Sequence, residues 1–385
     1  MLELAIKGKK TYWTWVVFLL AVIGLGFTFY LWQLKQGLMI TGMSRDVSWG
    51  FYIANFTYLV GVAAGGVMVV LPYYLHDYKA YGKITVMGEF LAIASLIMCL
   101  LFILIDLGQP MRGLNVLLYP TPHSVLFYDA IVLNGYLFLN LIVGWNALEA
   151  ERNGVHYQPW LKPFIYISIP WAVSIHTVTA YLYCGLPGRG FWLTAILAPR
   201  FLASAFAAGP ALLILLCLFV RNTTNFDPGK EQIQSLAKTV AYAICINVFF
   251  FLCEVFVAFY SQIPEHMDHI TYLFFGLHGK GNLVVWMWSS MILMVLGIIL
   301  TVNPATRKNE ASLAVACVVI IAGTWIDKGL GMISGGFVPN PLHEVTQYAP
   351  TPMEVTITLG VYAVGALVLT LLYKIVIGVK EEVHA

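Results

Sequence analysis

The sequence predicts an all-α integral membrane protein of ten transmembrane helices, and three observations carry that prediction. Hydrophobic residues fill 60% of the 385 positions and charged residues only 10%, where soluble domains carry roughly 25% charged residues. Ten stretches are long enough to supply the about 20 apolar residues that a bilayer crossing needs. These stretches are continuous, without the short alternating strands of a porin-like barrel. Backbone surrounded by hydrocarbon must satisfy its own hydrogen bonds, so segments of this kind are helices.

The first segment, 12–33, follows Lys7, Lys9 and Lys10. Its apolar core is too long for a secretory leader and no small-x-small cleavage site follows, so it should remain as an anchor. Segment 49–75 carries Asn55 and the glycines Gly61 and Gly65, a spacing that lets helix backbones approach closely. Segment 84–106 ends at Asp106, and 124–147 opens close to Tyr128 and Asp129. Segment 161–184 holds His176 well away from either end, among Ser174, Thr177 and Thr179 and ahead of Tyr181 and Tyr183. Then follow 197–220, 237–261 with Glu254, 281–302, 312–331 and 355–378. A polar connector, 221–236, turns at Asp227-Pro228-Gly229. It separates an expected first four-helix bundle, 49–184, from a second, 197–331, and leaves 12–33 and 355–378 peripheral.

Counting Lys and Arg sets the expected orientation. The termini and even-numbered loops hold fourteen, including Lys79, and the odd-numbered loops seven, Arg200 and Lys328 among them. Positive charge stays inside, which puts both termini in the cytoplasm. The net charge of +2 therefore reports orientation and gives no reason to expect nucleic acid. Six cysteines are scattered through apolar segments with no C-x-x-C pair, which argues against an iron–sulfur cluster or metal site within the chain. Only His176 of nine histidines, His384 included, is clearly mid-helix, so a buried bis-histidine haem is also disfavoured.

An ionisable side chain within a span costs at least ~2.5 kcal/mol on insertion scales and is a functional hypothesis by default. With ~1.5 Å of rise per residue, Asn55 lies about 9 Å and His176 about 12 Å below the outer edge. Asp106, Tyr128 and Asp129 fall at similar depth on neighbouring helices. Glu254, Asp327 and Glu354 form a second outer set, in which Glu254 is the candidate proton carrier and Asp327 an ion pair with the adjoining Lys328. The inner halves offer no clear acidic residue, so no complete proton wire is expected. The outer loops 107–123, 185–199, 262–280 and 332–354 are apolar and rich in Gly and Pro. Either another protein covers them or they fold over their own helix ends.

Four ordered segments carry a resemblance: "SWGFYIANFTYLVGVAAGG" (48–66), "DLGQPMRGLNVLLYPTPHS" (106–124), "SIHTVTAYLYCGLPGRGFW" (174–192) and "YAPTPMEV" (348–355). Together they resemble the NrfD-like, or polysulfide-reductase membrane-subunit (PsrC-like), family, over helices two to ten. The resemblance implies a multi-pass subunit of the cytoplasmic membrane, without haem, iron–sulfur cluster or metal of its own. Such a subunit binds a quinone, usually menaquinone, among the helices of the first bundle near the outer face. Electrons would pass to or from a ferredoxin-like iron–sulfur subunit docked outside, within a respiratory complex that includes other redox subunits, with cytochromes among them. By motif position Asn55, Asp106 and His176 carry over, with Tyr52 and Tyr181 as quinone contacts. Tyr128, Asp129 and Thr177 lie at the same depth, and Arg112 would orient the Asp106 loop or meet the partner. Gln109 stands where many relatives have a basic residue.

The chemistry agrees with this implication. Quinol oxidation needs groups that bond the ring oxygens and take protons, and an imidazole that titrates near neutral pH suits both tasks. Two other classes remain: a secondary transporter, which Pro170 and Pro210 inside helices would serve, and an inert membrane anchor for redox partners.

Overall fold

The computed structural model describes residues 1–76 and 78–384; the side chains of Lys79 and His384 lie outside that description. Ten apolar helices are long enough to span a membrane: α1 (Lys10–Gln36), α2 (Phe51–Leu75), α3 (Thr85–Asp106), α4 (Val125–Arg152), α5 (Leu161–Cys184), α6 (Leu197–Thr223), α7 (Lys230–Tyr260), α8 (Val284–Val302), α9 (Glu310–Phe337) and α10 (Pro352–Val383). The described chain is otherwise turns, short helices and one isolated bridge, Leu277 to Lys280. The fold class is the one expected. An even number of spans brings both termini to one end of the bundle.

Composition explains which helices sit at the centre. In α2, 94% of the most apolar window is buried, against 17% in α1. Small residues allow this. A Cβ on Gly65 would stand 2.6 Å from the Cα of Gly209 on α6, closer than side chains tolerate, so the glycines set a close α2–α6 crossing. The α2 helix packs against α3, α5 and α6, and α6 in turn against α7 and α9. The two groups of helices thus share an α2–α6 seam. The last helix, α10, packs on α1 and α3, and there too glycines meet: a Cβ on Gly26 would lie 2.7 Å from the Cα of Gly360.

Helix α9 is irregular. Its turn Ile326–Gly331 is π-helical before the chain resumes as α-helix to Phe337. The span therefore runs six residues beyond the apolar segment 312–331 read from the sequence.

Of the five loops at the end opposite the termini, the three after α5, α7 and α9 fold onto the bundle and onto one another. Trp192 is fully buried, donates its indole N–H to the Met332 carbonyl at 2.9 Å, stacks on Trp49 and meets Phe337 edge-on. Lys280 reaches the Val345 carbonyl at 2.6 Å and Asn282 that of Tyr348 at 2.7 Å. His269, in the short helix Pro264–Phe274, bonds the Val338 carbonyl at 2.9 Å, and burial pushes its imidazole below the usual range. Segment 107–123 differs. Met111, Leu114, Leu118 and Tyr119 are 67–91% exposed.

Candidate functional site

His176 is fully buried on α5, and its partner is a lysine. The Nε2 atom lies 2.6 Å from Nζ of Lys328 on the π turn of α9. With Lys328 as the donor, Nε2 accepts and Nδ1 carries the ring proton. Nδ1 is buried and has no hydrogen-bond partner among the described residues. Lys328 also touches the Phe201 carbonyl at 3.4 Å and stands 4.3 Å over the Phe201 ring. Gly61 of α2 makes the space, since a Cβ there would sit 3.0 Å from Nζ and 3.4 Å from Cε1 of His176.

The π turn explains how consecutive residues serve different helices. Its extra residue widens the turn, a feature common at functional sites. Trp325, just before it, donates to Oδ1 of Asn55 on α2 at 3.0 Å. Asp327 accepts both bonds of a fork from Arg200 on α6, at 2.6 and 2.8 Å. Lys328 turns to α5. Arg200 also pairs with Glu254 of α7. Two basic side chains and two carboxylates are thereby gathered within one group of helices, all but the partly exposed Glu254 buried, and formally they cancel. Mutual neutralisation of this kind is what makes charge tolerable in a dry interior.

Closer to the loop end lies a second cluster. Tyr52 donates to Oε1 of Gln33 at 2.7 Å, and Gln33 to the Ile105 carbonyl at 3.0 Å. Glu354, at the start of α10, accepts from the Tyr348 hydroxyl and from the N–H groups of Gly42 and Thr351, each at 2.8 Å. Asp106 is within electrostatic reach of Glu354, Tyr52 and Tyr183, and its Oδ1 is buried without a partner among the described residues. Tyr183 shares a very short hydrogen bond with Thr57 of α2. Asp129 accepts from the Thr179 hydroxyl at 2.7 Å, joining α4 to α5.

The residues singled out by sequence are thus distributed unevenly. Asn55, Asp129 and His176 are buried on α2, α4 and α5; Asn55 and His176 both bond to α9, and Asp129 bonds to α5. Asn55 has its carbonyl oxygen doubly engaged, by Trp325 and by Tyr362 of α10 at 2.8 Å, while its amide donates to the Phe51 carbonyl. Tyr52 and Asp106 belong to the second cluster. Tyr128 and Tyr181 are 46% and 53% exposed on the outer faces of α4 and α5. Thr177 is half-buried and bonds back to the Val173 carbonyl. Arg112 is exposed on the turn Pro110–Arg112.

Several expectations are corrected. Asp327 does not pair with Lys328; it holds Arg200, and Lys328 holds His176. Glu354 stands with Tyr348 and Asp106, apart from the Arg200 pairs. Arg200 and Lys328 are buried inside helices, so only five of the seven presumed outer-loop cations remain in loops or at helix ends. An acid does lie in the half nearer the termini. Glu89, five residues into α3, is 2% exposed. A signal for all three was available, because each is an ionisable residue inside an apolar segment as drawn.

Fold and site together define a polytopic helical membrane protein with a paired, buried charge cluster. The chain belongs to the polysulphide reductase NrfD family, whose model matches residues 39–338. It is 26% identical to a putative dimethyl sulfoxide reductase membrane subunit from Halobacterium salinarum, over 92% of this chain and 88% of that one. It is 24% identical to the Hdr-like menaquinol oxidoreductase integral membrane subunit of Archaeoglobus fulgidus, over 98% and 96%. Identity to the menaquinone reductase integral membrane subunit of Nitratidesulfovibrio vulgaris is 20%, over 94% and 90%. The four sequence segments therefore pointed to the right family.

Proposed function

We propose that this chain is the quinone-reactive membrane subunit of a respiratory oxidoreductase in the cytoplasmic membrane, with its termini in the cytoplasm. It exchanges electrons between menaquinol or menaquinone and an iron–sulfur partner docked on the outer face. Two relatives named for menaquinol or menaquinone chemistry, each aligned over at least 90% of both chains, support the quinone. The observation that carries the site is His176: one ring nitrogen is held by Lys328 and the other is buried with no hydrogen-bond partner among the described residues. A buried donor left unmade costs roughly 1–3 kcal/mol, which a ligand oxygen would recover. The bare Oδ1 of Asp106 fits a ligand hydroxyl in the same way.

A bound quinone supplies two-electron, two-proton chemistry; the chain supplies its setting. Lys328 fixes the His176 tautomer, so that Nδ1–H is the donor to a ring oxygen. Asp106 accepts a proton close to the exposed 107–123 segment. Glu254 is the more accessible of the two carboxylates on Arg200, 14% exposed against 4% for Asp327. It can exchange a proton while Asp327 keeps Arg200 paired. Tyr52, Asn55 and Asp129 hold the surrounding helices, and Tyr128, Thr177, Tyr181 and Arg112 face the route from lipid and outer loops. Ten spans fit the larger subgroup of the NrfD family, and on that ground we favour the membrane subunit of the sulfite-reductase-associated Dsr complex, and with it sulfur-compound respiration, as the setting.

Quinone content of the purified complex tests this reading against a transporter or an inert anchor, neither of which need retain one quinone per complex. His176→Ala and Asp106→Asn are each expected to lower quinol-dependent electron transfer about a hundredfold or more while the complex still assembles. Normal turnover in an assembled His176→Ala complex would remove the site. Glu254→Gln is expected to retain quinone and to release fewer protons per electron in vesicles; an unchanged ratio counts against Glu254.

A further inference from the structure

The acid that the quinone reading leaves unused is Glu89. It is 2% exposed on α3, and both its carboxylate oxygens are buried without a partner among the described residues. Buried polar groups in folded proteins are nearly always bonded, and two bare oxygens on one carboxyl are a stronger exception than one. The surroundings are shaped around it. A Cβ on Gly144 of α4 would stand 3.1 Å from Oε2, and the phenols of Tyr74 on α2 and Tyr136 on α4 lie within its electrostatic reach.

The buried face of α4 connects this acid to the far side. Asp129, Tyr136, Asn140 and Gly144 are all buried and spaced by seven, four and four residues, which places them on one stripe. The stripe runs about 22 Å at 1.5 Å per residue. The packing of α3 on α4 encloses it. At its near end Glu151, 30% exposed and bonded to Lys380 at 2.7 Å, is an electrostatic neighbour of Tyr74. Asp129 stands at the other end, bonded to Thr179 beside the His176 helix.

We infer that Glu89 is a proton-exchange site serving the termini side of the membrane, joined to Asp129 along the α3–α4 seam through Tyr136. In one transfer the Glu89 carboxyl gives its proton to the Tyr136 oxygen as that phenol passes its own toward Asp129, bridging water completing the gaps. Glu89 then takes a proton from the aqueous side past Tyr74 and Glu151. No electron moves and no bond other than O–H changes. The inference rests on the quinone reading only for the reaction that consumes or releases the proton at the far end.

Two measurements on the intact complex test it. Dicyclohexylcarbodiimide, a neutral reagent for protonated carboxyls in apolar surroundings, should modify Glu89 in membrane vesicles, and mass spectrometry should find no adduct there in Glu89→Gln. This readout needs no quinone, and absence of the adduct in the parent complex overturns the inference. In proteoliposomes with a pH indicator on the termini side, protons exchanged there per electron should fall to near zero in Glu89→Gln. Tyr136→Phe should slow the exchange while Glu89 stays modifiable. A parent ratio retained in Glu89→Gln, or no exchange on that side in the parent complex, overturns the inference. A complex that lacks quinone yet is modified at Glu89 would overturn the quinone reading instead.

Discussion

Lys328 and Arg200 show how one residue can organise several helices. Arg200 alone holds two carboxylates from two other helices. Arg200→Met should therefore strand two buried acids, and breaking a buried pair from one side costs roughly 3–5 kcal/mol. A large loss of thermal stability in the detergent-solubilised complex is the expected result. Adding Glu254→Gln should restore part of it, because one stranded charge is then gone. An Arg200→Met complex as stable as the parent would mean that the carboxylates find other partners. His176, Asn55 and Asp129 were legible from sequence because a polar residue within twenty apolar ones stands out. Lys328 stood inside the same kind of segment but only three residues from its expected end, and so it was counted with the loop.

At the scale of elements, two glycines one turn apart on α2 do different work. Gly65 meets backbone, so Gly65→Leu must drive α2 from α6; the chain should fail to accumulate as a monodisperse species in size-exclusion chromatography. Gly61 meets the tip of a flexible lysine, so Gly61→Ala should fold and assemble. Its expected effect is on turnover, through the displaced Lys328, and normal kinetics would show that the lysine accommodates the methyl. The ten spans could be read from apolar length alone. The π turn could not, because 326–334 is buried on every side and hydrophobic periodicity reports register only where one face is polar.

For the whole molecule, the loops bear on where the proposed partner subunits would dock. Sequence left open whether the four apolar loops were covered by a partner or by themselves, since composition is the same in both cases. Trp192, Lys280 and Asn282 close three of them onto the bundle, with single apolar side chains such as Phe275 and Leu342 left exposed, whereas 107–123 exposes several together. Met111→Glu, at a side chain 91% exposed, should leave the fold intact and strip peripheral subunits from the complex during purification. Full retention of those subunits would direct attention to a different face.

The oxygen of Asn55 has two lone pairs, and α9 and α10 each claim one. Any guest that competes for that atom must loosen the grip of one of them. Occupancy and the seating of the last helix then belong to a single equilibrium, and a spectroscopic reporter on α10 becomes a gauge of what is bound among the helices it encloses.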